Sequence, residues 1–123
     1  MATMLVIDDN DALRGTLRAI LAAGRYEVYA AGNGRAGVAC CQDQPIDLVI
    51  LDLLMPEEEG LTTMRTLWAM TPSPKIIAIA GGGYTGRLRF LETAAMLGAD
   101  RTLQQPIRAH DLLTTVQELL AEP

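Results

Sequence analysis

Asp8, Asp9 and Asp52 are the residues whose type and spacing could do chemistry. Each closes an apolar run: Leu5-Val6-Ile7 leads into Asp8-Asp9, and Ile46 to Leu51, broken only by Asp47, leads into Asp52. If both runs are parallel strands of one sheet, the three carboxylates meet at one edge. Crowded carboxylates repel, and the usual remedy is a divalent cation held by oxygen. A single Asp after a strand is ordinarily a turn or cap residue, and Asp8, Asp9 and Asn10 each suit the start of a helix. Asp52 is different: it precedes Leu53-Leu54-Met55-Pro56 and has no immediate helix to cap. A carboxylate at the floor of a pocket, beside two others, suits a metal or a nucleophile. A further edge position, before Pro106, holds Gln105, where a cation would have balanced the cluster.

These residues need a scaffold, and the apolar pattern supplies one. Met4 to Ile7 reads as a strand. Leu13, Leu17, Ile20 and Leu21 follow helical spacing, closed by Gly24. Tyr26 to Ala31 is a second strand, and Asn33 caps a helix reaching about Gln42. Asp47 to Leu51 is a third strand, apolar enough to be buried on both faces. Leu61, Met64, Leu67 and Trp68 line a third helix, with Trp68 packing on or beside its apolar face, and Thr71-Pro72-Ser73-Pro74 ends it. Ile76 to Ala80 is a fourth strand. A helix from about Thr85 to Leu97 is stopped by Gly98, Arg101 to Gln104 is a short fifth strand, and a last helix carries Leu112, Leu113, Val116, Leu119 and Leu120. Alternating units of this kind give an α/β fold: a doubly wound, five-stranded parallel sheet of the flavodoxin-like type, strand order 2-1-3-4-5. Strands one and three then meet at the switch point, where ligands bind beyond the strands' carboxyl ends.

Composition narrows the classes. The 123 residues suit a single domain over 1–123, and half of them are apolar. A net charge of −5 argues against nucleic acid as the main partner. No apolar run approaches membrane-spanning length, and the N-terminus lacks the marks of a signal peptide. Cys40 and Cys41 are adjacent, so they read as small helix residues in a reduced, cytoplasmic setting rather than as a structural disulfide or a zinc site.

The motifs together resemble a response-regulator receiver domain, the phosphoacceptor module of two-component signalling. The carriers are Val6-Ile7-Asp8-Asp9-Asn10, Asp47 to Asp52, the run Asp52-Leu53-Leu54-Met55-Pro56-Glu57-Glu58-Glu59-Gly60, and Gly98-Ala99-Asp100. The resemblance spans essentially the whole chain. It implies that Asp52 accepts a phosphoryl group from a histidine kinase or phosphotransfer protein. It implies Mg²⁺ held by Asp9, Asp52 and the backbone carbonyl of Leu54, with Asp8 acting through metal-bound water. Met55 and Pro56 would shape the loop that presents Leu54, and Gly60 would give the turn into the third helix. Such a domain assists its own phosphorylation and is not a conventional enzyme.

The chain departs from the family pattern at three positions. The Ser or Thr that ends the fourth strand is Ala80, the Lys before the fifth strand's proline is Gln105, and the aromatic switch residue is Thr102. A hydrogen bond to a charged donor is worth about 1.5–3 kcal/mol, against about 0.5–1.5 for a neutral one. All three changes fall on the side of the site that responds to phosphorylation, so weakened switching is expected. Two readings follow: a phosphoacceptor receiver, or a pseudo-receiver that acts as a protein-interaction module without phosphorylation. No effector domain is expected within the chain. Output would then pass through its surface, by resemblance the face of the fourth helix, fifth strand and last helix.

Other signals are weaker. Gly32-Asn33-Gly34-Arg35-Ala36-Gly37 matches the dinucleotide fingerprint, but it follows an expected edge strand rather than the central one. Gly81-Gly82-Gly83 could form a phosphate-binding nest but reads more simply as a flexible loop, and His110 reads as a surface residue. Glu57-Glu58-Glu59 reads as a solvated turn.

Overall fold

A computed structural model of the chain describes residues 1–55, 59–80, 92, 94–96 and 98–122. Its elements are β1 (Thr3–Ile7), α1 (Asp11–Ala23), β2 (Glu27–Ala31), α2 (Gly34–Asp43), β3 (Leu48–Asp52), α3 (Glu59–Trp68), β4 (Lys75–Ala80), β5 (Arg101–Gln104) and α4 (Ala109–Ala121). The helix expected over Thr85 to Leu97 falls largely outside the described residues, although Glu92 and residues 94–96 are helical. Gly81-Gly82-Gly83 lies outside them altogether.

All strands pair in parallel, in the order β2-β1-β3-β4-β5. Period-two alternation sorts the strand side chains onto two faces. Met4, Val6, Leu48, Ile50, Ile77 and Ile79 pack with Leu17 and Leu21 of α1 and with Leu112, Val116 and Leu119 of α4. Leu5, Ile7, Val49, Leu51, Ile76 and Ala78 pack on the other face with Met64 and Leu67 of α3 and Val38 of α2. β3 is buried along its whole length because helices cover both sides of the sheet.

The helix starts follow the expected chemistry. Asn10 accepts the Leu13 N–H at 3.0 Å, and Asn33 accepts the Ala36 N–H at 2.8 Å. Two expectations are corrected. Asp47 lies just before β3 rather than in it, with its carboxylate turned to the Thr3 N–H at 2.8 Å. Trp68 does not bury against α3's apolar face. It is 62% exposed, and its indole lies over Gly98, whose φ of +114° suits glycine alone.

The cysteines sit in α2, both partly buried, and burial pushes the Cys41 thiol up to about 11. Such a thiol is chemically quiet at neutral pH. The dinucleotide fingerprint is accounted for by packing: β2 is the edge strand, Gly37 lies against the Ile7 side chain, and Gly34 against Thr63. His110 is exposed. Among the described residues, no helix is long and apolar enough to cross a membrane.

Candidate functional site

β1 and β3 are neighbours, in register with Ile7 opposite Leu51. One position further along, Asp8 therefore stands abreast of Asp52. The Asp8 N–H extends the ladder by donating to the Ala31 carbonyl at 3.1 Å, and the Leu53 N–H donates to the Ile79 carbonyl at 2.9 Å. The chain thus leaves both strands at one edge with its carboxylates converging. Asp8, Asp9 and Asp52 each place a carboxylate oxygen within 4.8 Å of the others. Asp8 and Asp52 are buried, and Asp9 is exposed.

Asp8 Oδ1 accepts the Asn10 N–H at 2.9 Å, and Asp52 Oδ1 accepts the Leu54 N–H at 2.9 Å. The second bond folds the chain back so that Leu54 stays beside Asp52. Asp8 Oδ2 is buried with no hydrogen-bond partner. Burial chiefly pushes the Asp8 carboxyl up, to about 7, from an ordinary value of 3.8. The Asn10 N–H opposes that rise, while the neighbouring carboxylates of Asp52 and Asp9 add to it.

A buried, unpartnered carboxylate oxygen beside two more carboxylates is costly unless a proton or a cation completes it. The donor set is all oxygen, which suits a hard cation such as Mg²⁺. The residues present therefore fit the ion expected from the sequence.

The loop after β3 is positioned by close packing. Met55 is buried, and Pro56, Glu57 and Glu58 lie outside the described residues. At Gly60, in the first turn of α3, the backbone approaches the Asp52-Leu53 segment closely. A Cβ there would lie 2.6 Å from Leu53 Cα and 2.8 Å from the Asp52 carbonyl oxygen. Glu59 was expected to be solvated. Its carboxylate instead accepts the Gly34 N–H.

The other half of the edge is formed by β4 and β5. Ala80 is fully buried, opposite Gln104. Thr102 is half-buried, opposite Ala78, and Gln105 is half-buried just past β5. One cation near the cluster escaped the sequence reading. Arg14 Nη1 donates to the Asp8 carbonyl oxygen at 2.9 Å, and Nη2 pairs with Asp11 at 2.6 Å. The i, i+3 spacing of Asp11 and Arg14 on the first helix was the available signal.

Fold and site together define a doubly wound α/β domain with an acidic pocket at its switch point. The model of the response regulator receiver domain family matches residues 4–117. The chain belongs to that family. A probable transcriptional regulatory protein of Picosynechococcus is 34% identical over 97% of this chain and 49% of its own length. The transcriptional regulatory protein CpxR of Klebsiella pneumoniae is 30% identical over 98% of this chain and 50% of its own. The chain thus spans about half the length of these curated relatives. Among solved structures, a receiver domain from Clostridium thermocellum superposes with a TM-score of 0.87 at 28% identity, covering 98% of this chain and 94% of that one. Receiver domains are signalling modules of two-component systems. They generally bind Mg²⁺ in an acidic pocket and act with histidine kinases or phosphotransfer proteins.

Proposed function

We propose that Asp52 is the phosphoacceptor of this receiver and that Asp8, Asp9, Asp52 and the Leu54 carbonyl hold Mg²⁺ beside it. The observation that carries this reading is the buried, unpartnered Asp8 Oδ2 within a cluster of three carboxylates. When bound, Mg²⁺ offsets the repulsion between a carboxylate nucleophile and an anionic phosphoryl group. An Asp52 carboxylate oxygen forms a bond to phosphorus as the phosphorus–nitrogen bond of a kinase phosphohistidine breaks, and the departing imidazole nitrogen takes up a proton. The Leu54 N–H on Asp52 Oδ1 holds the carboxylate in one rotamer for that attack.

The response to phosphorylation is weakened. Ala80 has no hydroxyl with which to draw the following loop toward a phosphoryl oxygen. Gln105 offers a neutral donor where a lysine would offer a charge. Downstream contact through the surface of β5 and α4 is part of the same proposal.

Acetyl phosphate with Mg²⁺ followed by intact-mass analysis tests the first part. The expected result is gain of one phosphoryl group by the wild type and none by Asp52→Asn. No gain by the wild type, from acetyl phosphate or from a panel of phosphorylated kinases, would favour the pseudo-receiver reading, to which Ala80 and Gln105 already point.

A further inference from the structure

Glu59 opens α3, yet its carboxylate is bonded to another helix. Glu59 Oε1 accepts the N–H of Gly34, the first residue of α2, at 2.5 Å across 25 positions of sequence. Asn33 already caps α2 locally, so Glu59 is a second, distant acceptor at that terminus. Its charge also sits at the favourable end of the helix dipole. There is little slack in the contact. A Cβ on Gly34 would strike Thr63 Oγ1 and come within 3.0 Å of Glu59 Oε1.

Both ends of this bond lead to the acidic pocket. Gly34 lies three residues past Ala31, whose carbonyl accepts the Asp8 N–H. Glu59 adjoins Gly60, which packs directly against the Leu53 and Asp52 backbone. Among the described residues, two routes therefore join the Asp8-Asp9 loop to the Asp52-Leu54 segment. One link is the β1–β3 ladder. The other runs from Ala31 through Gly34 and Glu59 to Gly60.

We infer that Glu59 is a positioning residue of the metal pocket: by clamping the start of α3 to the N-terminus of α2, it fixes the spacing between the loop of Asp8 and Asp9 and the segment of Asp52 and Leu54. This rests on the Mg²⁺ reading above. Glu59 is not itself a ligand, since it stands outside the three-carboxylate cluster. It acts on the site as groups behind metal ligands do, by fixing where the ligands stand.

Calorimetric Mg²⁺ titration of the wild type, Glu59→Ala, Glu59→Gln and Asn33→Ala tests the inference, with melting temperatures measured on the same samples. Glu59→Ala is expected to weaken Mg²⁺ binding about tenfold. Glu59→Gln keeps a carbonyl acceptor and is expected to stay within about twofold of the wild type. Asn33→Ala removes the local cap of the same helix, so it should lower the melting temperature and leave Mg²⁺ affinity unchanged. Glu59→Met, which fills the space without accepting a bond, replaces the alanine variant if that one does not fold. Wild-type affinity in a folded Glu59→Ala or Glu59→Met protein overturns the inference alone. So does an Asn33→Ala variant that weakens Mg²⁺ as much as Glu59→Ala does, because helix stability would then be the cause. A wild type that takes up no Mg²⁺ overturns the metal-site reading, and the inference with it.

Discussion

The same residue type stands at both ends of this sheet and does opposite things. At the amino end, Asp47 and Asp100 each precede a strand and lock onto a neighbour. Asp47 accepts the Thr3 N–H and donates its own N–H to the Thr3 carbonyl, at 2.8 and 2.9 Å. Asp100 makes the same reciprocal pair with Ile76, also at 2.8 and 2.9 Å. At the carboxyl end, Asp8 and Asp52 are more deeply buried, and Asp8 Oδ2 finds no donor. The amino-end carboxylates have their charge answered by backbone N–H groups and serve the fold. The carboxyl-end carboxylates crowd one another, and the one buried oxygen there without a donor among the described residues, Asp8 Oδ2, is what a cation can use. An aspartate's burial and partners, rather than its presence at a strand end, separate structure from function here.

The largest expected effect is in the pH dependence of the metal-free protein. The Asp8 carboxyl rises from an ordinary 3.8 to about 7 on folding, so the folded state holds that proton more tightly than the unfolded state. The stability this contributes is complete below about pH 4, declines as pH rises toward 7, and is gone above it. The loss is on the order of a few kcal/mol. Urea unfolding across that range should show the decline in the wild type relative to Asp8→Asn, and saturating Mg²⁺ should abolish it. A second effect divides the two ends of the sheet. Asp8→Asn should weaken Mg²⁺ binding by about 10–100-fold, whereas Asp100→Ala should leave it unchanged in the same titration.

Stability should show the reverse pattern. Asp100→Ala exposes the Ile76 N–H at a partly buried site and should cost about 1.5–3 kcal/mol by chemical denaturation. Asp47→Ala, at an exposed site, should cost less. The smallest effect belongs to Gln105→Lys. A cation at this half-exposed position should stabilise the metal-free protein at pH 8 by at most about 1 kcal/mol. It should also enlarge the spectral change on phosphorylation, measured by difference NMR.

The sheet was legible in the sequence because strands covered on both faces become unbroken apolar runs, as in Leu48 to Leu51. The helix starts were legible through Asn10 and Asn33, whose side chains act within three residues. The acidic cluster was legible because strand ends and strand order together decide who meets whom. What escaped depends mostly on long-range approach. Glu59 meets Gly34 only because α2 and α3 pack side by side, so a run of three glutamates read as solvent-facing. Arg14 reaches the Asp8 carbonyl by the turn of α1. Trp68 follows an apolar stripe yet lies over Gly98, a site left open by a glycine at positive φ. Asp47 and Asp100 gave no sign that they clamp neighbouring strands, since that bond exists only in the assembled sheet.

The most direct test of the central claim is the titration of the Asp8 carboxyl, followed by its carbon-13 chemical shift with and without Mg²⁺. An unbalanced pocket predicts a metal-free apparent pKa near 7, moving down into the ordinary carboxylate range when Mg²⁺ is added. Titration near 4 in both conditions would contradict it, because the three carboxylates would then need no cation to stand together.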